Sequence, residues 1–408
     1  MKKRKVIIVG GGASGMIAAI TAARGGSDVT IIEKKDTLGK KILATGNGKC
    51  NLTNEYMEPS CFRGEDITIV SRVLNKFGAE HTKTFFSELG VMLKEKNGYV
   101  YPLTEQASTI LKALILELEA LNVHVVLGQS VLKIKKNETG FTVKTDKDSF
   151  SGDSVILATG GKASPSLGSD GSGYHLAKSL GHSLLPVVPA LVQLKGKGRF
   201  YKQVAGVRTQ AKVSLYVNGV LEADNTGELQ LTNYGISGIP VFQVSRFAAK
   251  GLFEHKKVEA EIDFLPSVNE DDFFKYLKEF SFKHSAMQAA DMLSGIFNSK
   301  LIGLLLRASR IDEDRIVHTI SEDEWKKVVS LSKHFRIEIE DTNGFEQAQV
   351  CAGGVRTSEV NQDTMESIYV KDLYLTGELL DVDGICGGYN LQWAWATGYL
   401  AGKEAAKG

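Results

Sequence analysis

Hydrophobic positions over residues 5–33 change their spacing twice, and each change predicts a new element. A β-branched run at 6–9 stops at Gly10, small residues that favour a helix follow over 13–24, and a second β-branched run covers 29–32. The pair Gly25 and Gly26 breaks the helical stretch, and Glu33 ends the second run. Short β-branched runs bounded by glycine are typical of strands. The chain is therefore predicted to begin as strand, helix, strand.

Later segments alternate between helical and extended patterns. Residues 67–89 and 107–121 are predicted helical, and residues 123–157 contain short β runs joined by turns. From 190 onward the pattern is that of antiparallel strands, with Asn218 and Gly219 as a hairpin turn. From about 271 it becomes helical, and Ser321 with Glu324 forms a predicted capping box for a helix over 322–334. A strand at 373–376 and a helix beginning near Asn390 follow.

Composition is that of an ordinary globular protein, with 43% apolar and 24% charged residues. A chain of 408 residues predicts two or three domains. A formal net charge of +1 supports neither a nucleic-acid nor an acidic membrane partner, because those partners select for a basic excess. We therefore expect no nucleic-acid partner and no membrane partner, and the oligomeric state is left open.

The cysteines and histidines do not indicate a metal centre. Four cysteines are scattered without a C-x-x-C pair, and eight histidines are dispersed without H-x-x-x-H spacing. We expect no metal, no disulfide framework and a reducing, cytoplasmic location. No apolar run reaches the length of about 18 residues needed for a membrane helix.

The first turn carries a dinucleotide fingerprint. Gly10, Gly12 and Gly15 occupy the glycine positions of G-x-G-x-x-G, between the first predicted strand and helix. The first glycine permits the tight turn, the second allows a pyrophosphate to approach, and the third lets the helix pack on the strand. Glu33 follows near the offset expected for a carboxylate that binds ribose hydroxyls, and it would repel a 2′-phosphate. The motif predicts NAD or the adenosine half of FAD.

Three further glycine turns favour FAD. The β runs over 123–157 lead into a strand that ends in A-T-G-G, and near the C-terminus Gly377 and Glu378 follow the last predicted strand. A second C-terminal turn over 384–389 precedes the helix near Asn390 and would expose backbone N–H groups to a ligand. On that helix small residues recur at Ala394, Gly398 and Gly402, so one face can pack closely. This arrangement suggests a flavoprotein fold in which two halves contact one cofactor.

Together these motifs resemble the BaiN/YhiN-type family of FAD-binding oxidoreductases, which includes the aminoacetone oxidases. The resemblance rests on the fingerprint, the A-T-G-N-G-K-C-N-L-T-N segment, the A-T-G-G turn, the segment 227–238 and the run 349–402. It covers nearly the whole chain. Lys49 stands where the family usually has arginine, and Ala163-Ser164-Pro165 stands where it usually has S-Y-P.

The resemblance implies an α/β fold with a two-half Rossmann-like FAD-binding domain and an inserted β-rich plus helical domain. The FAD domain would comprise residues 1–190 and 343–408. The insertion would span 191–342, β-rich over 191–266 and helical over 267–342.

It also implies an FAD-dependent oxidoreductase that transfers hydride or electrons to or from a small organic substrate at the interdomain cleft. Two reactions remain open: NAD(P)H-linked reduction of conjugated enones such as oxo bile acids, and amine oxidation. With one dinucleotide fingerprint assigned to FAD, an NAD(P)H donor would enter the substrate cleft transiently. The alternatives are a flavoprotein with structural or sensory FAD, and an RNA-modifying flavoprotein, which would require a basic patch that the near-neutral charge does not support.

The motifs and the resemblance predict a set of FAD-binding residues and leave the catalytic residue unassigned. The predicted residues are Gly10, Gly12, Ala13, Ser14, Gly15, Glu33, Lys34, Lys41, Gly46, Asn47, Gly48, Lys49, Cys50, Asn51, Val131, Ala158, Thr159, Gly160, Gly161, Gly377, Glu378, Gly387, Gly388, Tyr389, Asn390 and Leu391.

Cys50 is a lone cysteine in a turn-rich segment. Flavin-dependent disulfide reductases need a second, neighbouring thiol, and none lies beside Cys50. Lys49 could lower its pKa and favour a nucleophilic thiolate, and Cys386 could approach it in space. The surrounding glycines and asparagines instead favour a sharp turn that offers backbone N–H groups to a ring or a phosphate. The resemblance implies that Gly46 to Asn51 form a clasp over the flavin ring and ribityl chain, with Cys50 as a structural or flavin-packing thiol.

Overall fold

The structure, a computed structural model, describes residues 3–407 and divides into two compact units. Unit 1 comprises Met1–Val188 and Gln349–Gly408, and unit 2 comprises Pro189–Ala348. Met1, Lys2 and Gly408, which the predicted FAD domain includes, lie outside the described residues.

The strands, in chain order, are β1 (Lys5–Val9), β2 (Asp28–Glu33), β3 (Thr53–Asn54), β4 (Phe62–Arg63), β5 (Leu93–Lys96), β6 (Tyr99–Pro102), β7 (His124–Leu127), β8 (Val131–Asn137), β9 (Gly140–Thr145), β10 (Ser149–Gly152), β11 (Ser154–Leu157), β12 (Val188–Ala190), β13 (Leu194–Gly196), β14 (Arg208–Val217), β15 (Val220–Leu231), β16 (Gly235–Gly238), β17 (Val258–Asp263), β18 (Phe335–Thr342), β19 (Val350–Ala352), β20 (Leu373–Leu375) and β21 (Asp383–Gly384).

The helices, in the same order, are α1 (Ala13–Arg24), α2 (Lys40–Ala44), α3 (Thr68–Lys76), α4 (Ala79–Glu88), α5 (Ala107–Ala120), α6 (Ser172–Ser179), α7 (Tyr201–Val204), α8 (Ile239–Phe253), α9 (Glu270–Lys283), α10 (Ala289–Leu293), α11 (Ser299–Ser309), α12 (Glu322–Lys333), α13 (Gly344–Gln347) and α14 (Tyr389–Ala405). Among the residues from 3 to 407, no helix combines the length and apolar character that crossing a membrane requires.

Unit 1 is built on a parallel sheet with the strand order β20-β11-β1-β2-β7. Its central strand, β1, pairs with β2 on one side and β11 on the other, and four of its five residues are buried. A strand covered on both faces must be apolar at successive positions, which explains the continuous β-branched run in the sequence. The predicted strand, helix, strand at the start of the chain and the α/β, Rossmann-type fold are confirmed.

Unit 1 also contains two three-stranded sheets. The strands β8, β9 and β10 form an antiparallel meander, and β3, β6 and β5 form a second three-stranded sheet. The stretch predicted to be helical over 67–89 is two helices, α3 and α4, because Phe77 and Gly78 leave the helical conformation between them.

Helices α1 and α14 pack against each other through small residues. A Cβ atom at Gly398 would lie 2.3 Å from the carbonyl oxygen of Ser14, and one at Gly402 would lie 2.3 Å from that of Ala18. Both distances are far below van der Waals contact, so only glycine fits at these positions. The predicted small face of the C-terminal helix therefore contacts the helix that follows the fingerprint.

Unit 2 is a closed barrel with the strand order β13-β16-β15-β14-β17-β18 and its own hydrophobic core. The predicted hairpin is present: β14 and β15 flank Asn218 and Gly219, both at positive φ, and Asn218 has φ 50°. The predicted capping box of α12 is also present.

Two elements of unit 2 depart from the predicted β-rich and helical halves. Helix α8 lies in the stretch predicted to be β-rich, and it begins at Ile239 with Pro240 in its first turn. Strand β18 lies in the stretch predicted to be helical, and its buried Phe335, Ile337 and Ile339 alternate with charged residues, as in a half-buried strand. It pairs with β13 and β17 and thereby closes the barrel.

Candidate functional site

A cavity of about 950 Å³ opens at the carboxyl ends of β1, β2 and β11. The turn after β1, Glu33 at the end of β2 and residues 158–160 after β11 all line it. Parallel strands end at the same edge of a sheet, so their following loops converge there. Every lining residue belongs to unit 1.

The three fingerprint glycines are required for different reasons. Gly10 has φ 106°, and a Cβ there would lie 2.5 Å from the carbonyl oxygen of Ala158. At Gly15 a Cβ would lie 1.9 Å from the carbonyl oxygen of Gly10, so this residue lets α1 approach the turn. At Gly12 a Cβ would meet no heavy atom of the described chain within 4 Å. The space beside Gly12 is therefore open to a ligand, next to the unpaired N–H groups of the first turn of α1.

Glu33 is held in place by backbone donors. Its carboxylate accepts hydrogen bonds from the N–H groups of Gly11 (2.7 Å) and Lys35 (2.8 Å). It borders both the main cavity and a second cavity of about 600 Å³, which Lys34 and Val131 also line. Lys34 pairs with Asp170 at 2.6 Å. An oriented carboxylate between two cavities is suited to accept hydrogen bonds from the hydroxyls of a ribose. Such a ribose joins a base to a phosphate chain.

Lys41 and Glu378 form an ion pair in the wall of the main cavity. Lys41 Nζ lies 2.8 Å from Glu378 Oε2, and the other carboxylate oxygen accepts the N–H of Cys351 at 2.7 Å. This carboxylate therefore connects α2 to β19 at the wall of the cavity.

Helix α14 begins behind Gly388, which has φ 94°, and Asn390 and Leu391 of its first turn also line the main cavity. The side chain of Asn390 both donates to and accepts from the backbone of Gly384, at 2.8 Å each, so it stabilises the turn before the helix. The N–H groups of the first helical turn remain available to a ligand, and the dipole of the helix favours negative charge there.

The turn over 45–51 has a left-handed backbone at several positions: Gly46 (φ 56°), Asn47 (φ 55°), Gly48 (φ 82°) and Cys50 (φ 56°). Thr45, at its start, lines the main cavity. Cys50 is fully buried, and this burial raises its pKa to about 12 although the Thr45 side chain acts in the opposite direction. Its thiol is therefore protonated at neutral pH, and Lys49 pairs with Glu105 instead, at 2.7 Å.

Asn51 carries a buried acceptor that has no hydrogen-bond partner in the structure, its Oδ1 atom. This atom lies 3.0 Å from the position that a Cβ of Gly388 would take, beside the start of α14. A buried acceptor without a donor is costly, so a ligand donor is the natural partner for it. The open space at Gly12, the oriented carboxylate of Glu33 and this amide oxygen together fit FAD.

The structure brings many of the predicted residues together. The main cavity is lined by Gly10, Gly12, Ala13, Ser14, Glu33, Lys41, Ala158, Thr159, Gly160, Glu378, Asn390 and Leu391. The second is lined by Lys34 and Val131. The remaining predicted residues lie outside the lining of both cavities, and their contacts with FAD stay predictions: Gly15, Gly46, Asn47, Gly48, Lys49, Cys50, Asn51, Gly161, Gly377, Gly387, Gly388 and Tyr389.

Sequence reasoning missed several residues of the cavity walls. Thr37, Gly39 and Lys40 follow Glu33 closely, so their place just beyond β2 at the ligand-binding edge could have indicated them. Gln129, Ser130 and residues 167–169 carry no comparable motif. Only the packing of their loops brings them to the cavities.

The comparisons with known protein sequences agree with this geometry. The family model described as HI0933-like protein Rossmann domain matches residues 4–404. A 3-dehydro-bile acid delta(4,6)-reductase of Clostridium scindens is 52% identical over 396 residues, 97% of each chain. A ribosomal RNA dihydrouridine synthase of Escherichia coli is 30% identical over 407 residues, 99% of this chain and 98% of that one.

Two solved structures share the fold at low sequence identity. The open conformation of a flavocytochrome c3 fumarate reductase has a TM-score of 0.52 at 14% identity and matches 99% of this chain and 78% of that one. The 3-ketosteroid-delta4-(5alpha)-dehydrogenase from Rhodococcus jostii RHA1 has a TM-score of 0.50 at 15% identity, with 100% and 97% of the two chains covered.

The predicted membership of the BaiN/YhiN-type family is thereby confirmed. The chain is an FAD-dependent oxidoreductase, as the predicted family implies and as its similarity to a named reductase supports. With the family model matched over residues 4–404, the chain belongs to the HI0933-like family of Rossmann-domain proteins.

Proposed function

We propose that this protein reduces a carbon–carbon double bond conjugated to a carbonyl, and that its substrate is a 3-oxo bile acid or a closely related steroid-like acid. The observation that carries this proposal is the 52% identity to a 3-dehydro-bile acid delta(4,6)-reductase over 97% of both chains. Enone reduction is therefore favoured over amine oxidation and over a structural or sensory flavin.

The names of the two relatives describe related chemistry. A 3-dehydro bile acid with double bonds at positions 4 and 6 is a conjugated ketone, and the reductase saturates such bonds. Dihydrouridine is uridine whose 5,6 double bond, itself conjugated to a carbonyl, has been saturated. Addition of hydride to the far carbon of such a system is the two-electron chemistry that a bound reduced FAD supplies.

The residues of unit 1 would hold FAD through complementary contacts. The open space at Gly12 and the first N–H groups of α1 receive the pyrophosphate, and the carboxylate of Glu33 accepts the ribose hydroxyls. The N-terminus of α14 places partial positive charge at the main cavity, in which the Lys41 ammonium is already paired with Glu378. Cys50 stays protonated and buried, so it packs in the turn and takes no thiolate role.

NADH or NADPH is the proposed transient electron donor. The chain has one dinucleotide fingerprint, which is assigned here to FAD. The nicotinamide donor would therefore enter the substrate cleft, reduce the flavin and leave before the substrate binds. The four cysteines are thiols, which fits the proposed cytoplasmic location.

Reduction of uridine in ribosomal RNA is a second candidate, which the 30% identity to the Escherichia coli synthase favours. The formal net charge of +1 offers no general attraction to RNA phosphates.

Anaerobic mixing tests the proposal. The purified FAD protein is mixed with NADH or NADPH while flavin bleaching is followed, and the reduced protein then receives a 3-oxo-4,6-diene bile acid. We expect reoxidation of the flavin and a product that mass spectrometry shows to carry two added hydrogens for each bond reduced. In a parallel assay, aminoacetone replaces the nicotinamide as the electron donor and oxygen replaces the bile acid as the acceptor, which tests amine oxidation.

If the bile acid fails to reoxidise the flavin and deletion of the gene removes dihydrouridine from ribosomal RNA, the second candidate replaces the first. Flavin bleaching by aminoacetone alone would contradict both.

A further inference from the structure

A third cavity of unit 1, of about 510 Å³, has a lining of lysines and tyrosines. We call it the Tyr–Lys basin, and it is lined by Lys49, Lys96, Asn97, Tyr99, Tyr101 and Glu105.

The hairpin of β5 and β6 builds most of the basin. The chain turns at Asn97 (φ 55°) and Gly98 (φ 84°), and the register then places Lys96 opposite Tyr99 and Lys94 opposite Tyr101. Residues two apart on a strand share a face, so two lysines and two tyrosines lie side by side on one surface of the hairpin. The two tyrosine rings stack with centroids 6.4 Å apart and planes 20° apart. Val100 between them is buried on the other face.

The basin carries more positive than negative charge. Lys49 and Lys94 both contact the carboxylate of Glu105, at 2.7 and 2.6 Å, and these contacts, Lys49 first, hold its pKa at about 2. One carboxylate cannot neutralise two ammonium groups. Lys96 adds a third, for which the structure of residues 3–407 records no ion pair. An anion would therefore be attracted to the basin.

Two chain segments connect the basin to the main cavity. The first is the turn over 45–49, in which Thr45 lines the main cavity and Lys49 lines the basin. The second is the turn before α14: Gly387 lies against the ring of Tyr99, with 3.2 Å from its Cβ position to the ring, and Asn390 lines the main cavity. Both segments therefore run from the wall of the main cavity to the basin.

We propose that the Tyr–Lys basin binds the carboxylate end of the substrate: Tyr99 and Tyr101 contact the apolar face of its rings, and Lys49 and Lys96 contact its carboxylate. The inference rests on the function proposed above and extends it. A bile acid carries its carboxylate at the end opposite to the 3-oxo ring, so a molecule with its enone at the main cavity would direct its acid away from it. Paired aromatic rings suit a rigid apolar body, and ammonium groups suit a carboxylate.

The test compares a 3-oxo-4-ene bile acid with its methyl ester, which has the same rings and no charge. For the unaltered holoprotein we expect a higher kcat/KM for the acid than for the ester. Lys96→Gln should lower the acid-to-ester ratio of kcat/KM about fivefold, the effect of losing a partly exposed charge pair. Lys112→Gln, which removes an exposed lysine of α5, is the matched control and should leave the ratio unchanged.

The tyrosines give a separate readout. Tyr101→Ala should raise KM for acid and ester alike, because both present the same ring face, and it should leave their ratio unchanged. Flavin content measured for each variant shows that unit 1 is folded. Since Lys96 is exposed in a hairpin, Lys96→Gln should fold normally.

The acid-to-ester ratio decides the inference when either compound is reduced, and cholate binding decides it otherwise. A ratio near one in the unaltered protein, or a ratio unchanged by Lys96→Gln, would overturn the basin as the carboxylate site while leaving the proposed reaction intact. If neither compound is reduced, the proposed function fails, and calorimetric titration with cholate then decides the basin independently. Cholate binding that Lys96→Gln weakens would support the basin, and absence of binding to the unaltered protein would overturn it.

Discussion

Gly12 and Gly15 lie three residues apart in one turn, yet a side chain would meet opposite surroundings at the two positions. A Cβ at Gly12 would point into open space in the main cavity, whereas a Cβ at Gly15 would lie 1.9 Å from the carbonyl oxygen of Gly10. Substitution of Gly12 is therefore expected to impair ligand binding, whereas substitution of Gly15 is expected to destabilise the fold.

We expect Gly12→Val to yield folded but colourless protein, because the side chain would fill the space that the pyrophosphate needs. Gly15→Ala should instead lower the free energy of unfolding by about 2 kcal/mol or more, through overpacking of α1 against the turn. Flavin absorbance and thermal unfolding of both variants check this. A yellow Gly12→Val protein would show that FAD does not pass this turn.

Cys50 illustrates how burial decides the state of one side chain. Its pKa is raised to about 12 by burial, so the thiolate is nearly absent at pH 8. We expect Cys50→Ser to keep FAD and most of the turnover, and Cys50 in the native protein to resist alkylation by iodoacetamide at that pH. A loss of flavin reduction of more than about a hundredfold, roughly 2.7 kcal/mol, with FAD still bound would make the thiol catalytic.

At the scale of elements, α1 and α14 pack against each other, and the N-termini of both helices face the main cavity. Gly398 sits against Ser14 and Ile17 of α1, so a larger residue would force the two helices apart. We predict that Gly398→Leu weakens FAD retention as well as stability, with a cost of about 3 kcal/mol or more. Flavin release on dilution and urea unfolding measure the two effects. Ala394→Ser, on the same face of α14, is the milder comparison. Normal FAD retention in Gly398→Leu would show that the packing of α1 against α14 does not affect FAD binding.

A second contact between segments of unit 1 predicts a pH dependence. His182 is buried, with ring nitrogens 3.2 Å from a Glu359 carboxylate oxygen and 2.9 Å from the Ser367 hydroxyl. Burial lowers the pKa of His182 and outweighs the opposing influence of Glu359. Burial alone would raise the pKa of Glu359, but hydrogen bonds from Ser183 and the nearby His182 together hold it below its usual value.

Both shifts act in the same direction on stability. The unfolded chain binds more protons than the folded chain as the pH falls below about 6.5 for the histidine and below about 4.5 for the glutamate. The free energy of unfolding of unit 1 should therefore decrease from pH 7 to pH 4. His182→Gln should reduce this decrease between pH 7 and pH 5, measured by urea unfolding at each pH. An unchanged pH dependence would show that His182 does not contribute to it.

At the scale of the whole molecule, the cavities assigned to the cofactor are formed by unit 1, and unit 2 has a separate hydrophobic core. We predict that replacing residues 189–348 with a short linker leaves FAD binding largely intact and removes substrate-dependent flavin reduction. The released cofactor should be FAD rather than FMN, because FMN lacks the adenosine ribose that we propose Glu33 binds.

Chromatography of the released flavin and anaerobic reduction assays check both parts. Retained turnover with unchanged substrate preference would place recognition wholly in unit 1. Colourless full-length protein that cannot be reconstituted with FAD would contradict the cofactor assignment itself.

Local sequence determined the parts of the protein whose interactions lie within about thirty residues. The turn from Gly10 to Gly15 and the acid at Glu33 belong to one β-α-β unit, so their spacing alone predicts a dinucleotide site. The turn at Asn218 and the capping box at Ser321 were predictable for the same reason, since each depends on backbone conformation or hydrogen bonds between near neighbours.

Tertiary structure alone decided what depends on distant residues meeting. The alternation of Phe335, Ile337 and Ile339 with charged residues marks β18 as a strand, but its pairing with β13 and β17, far away in the chain, is decided only by the fold. The pKa of Cys50 depends on burial by other segments, and the Tyr–Lys basin requires Lys49 to meet the hairpin of Tyr99 and Tyr101. Such contacts are selected by the packing of the whole chain, which no local pattern of residues encodes.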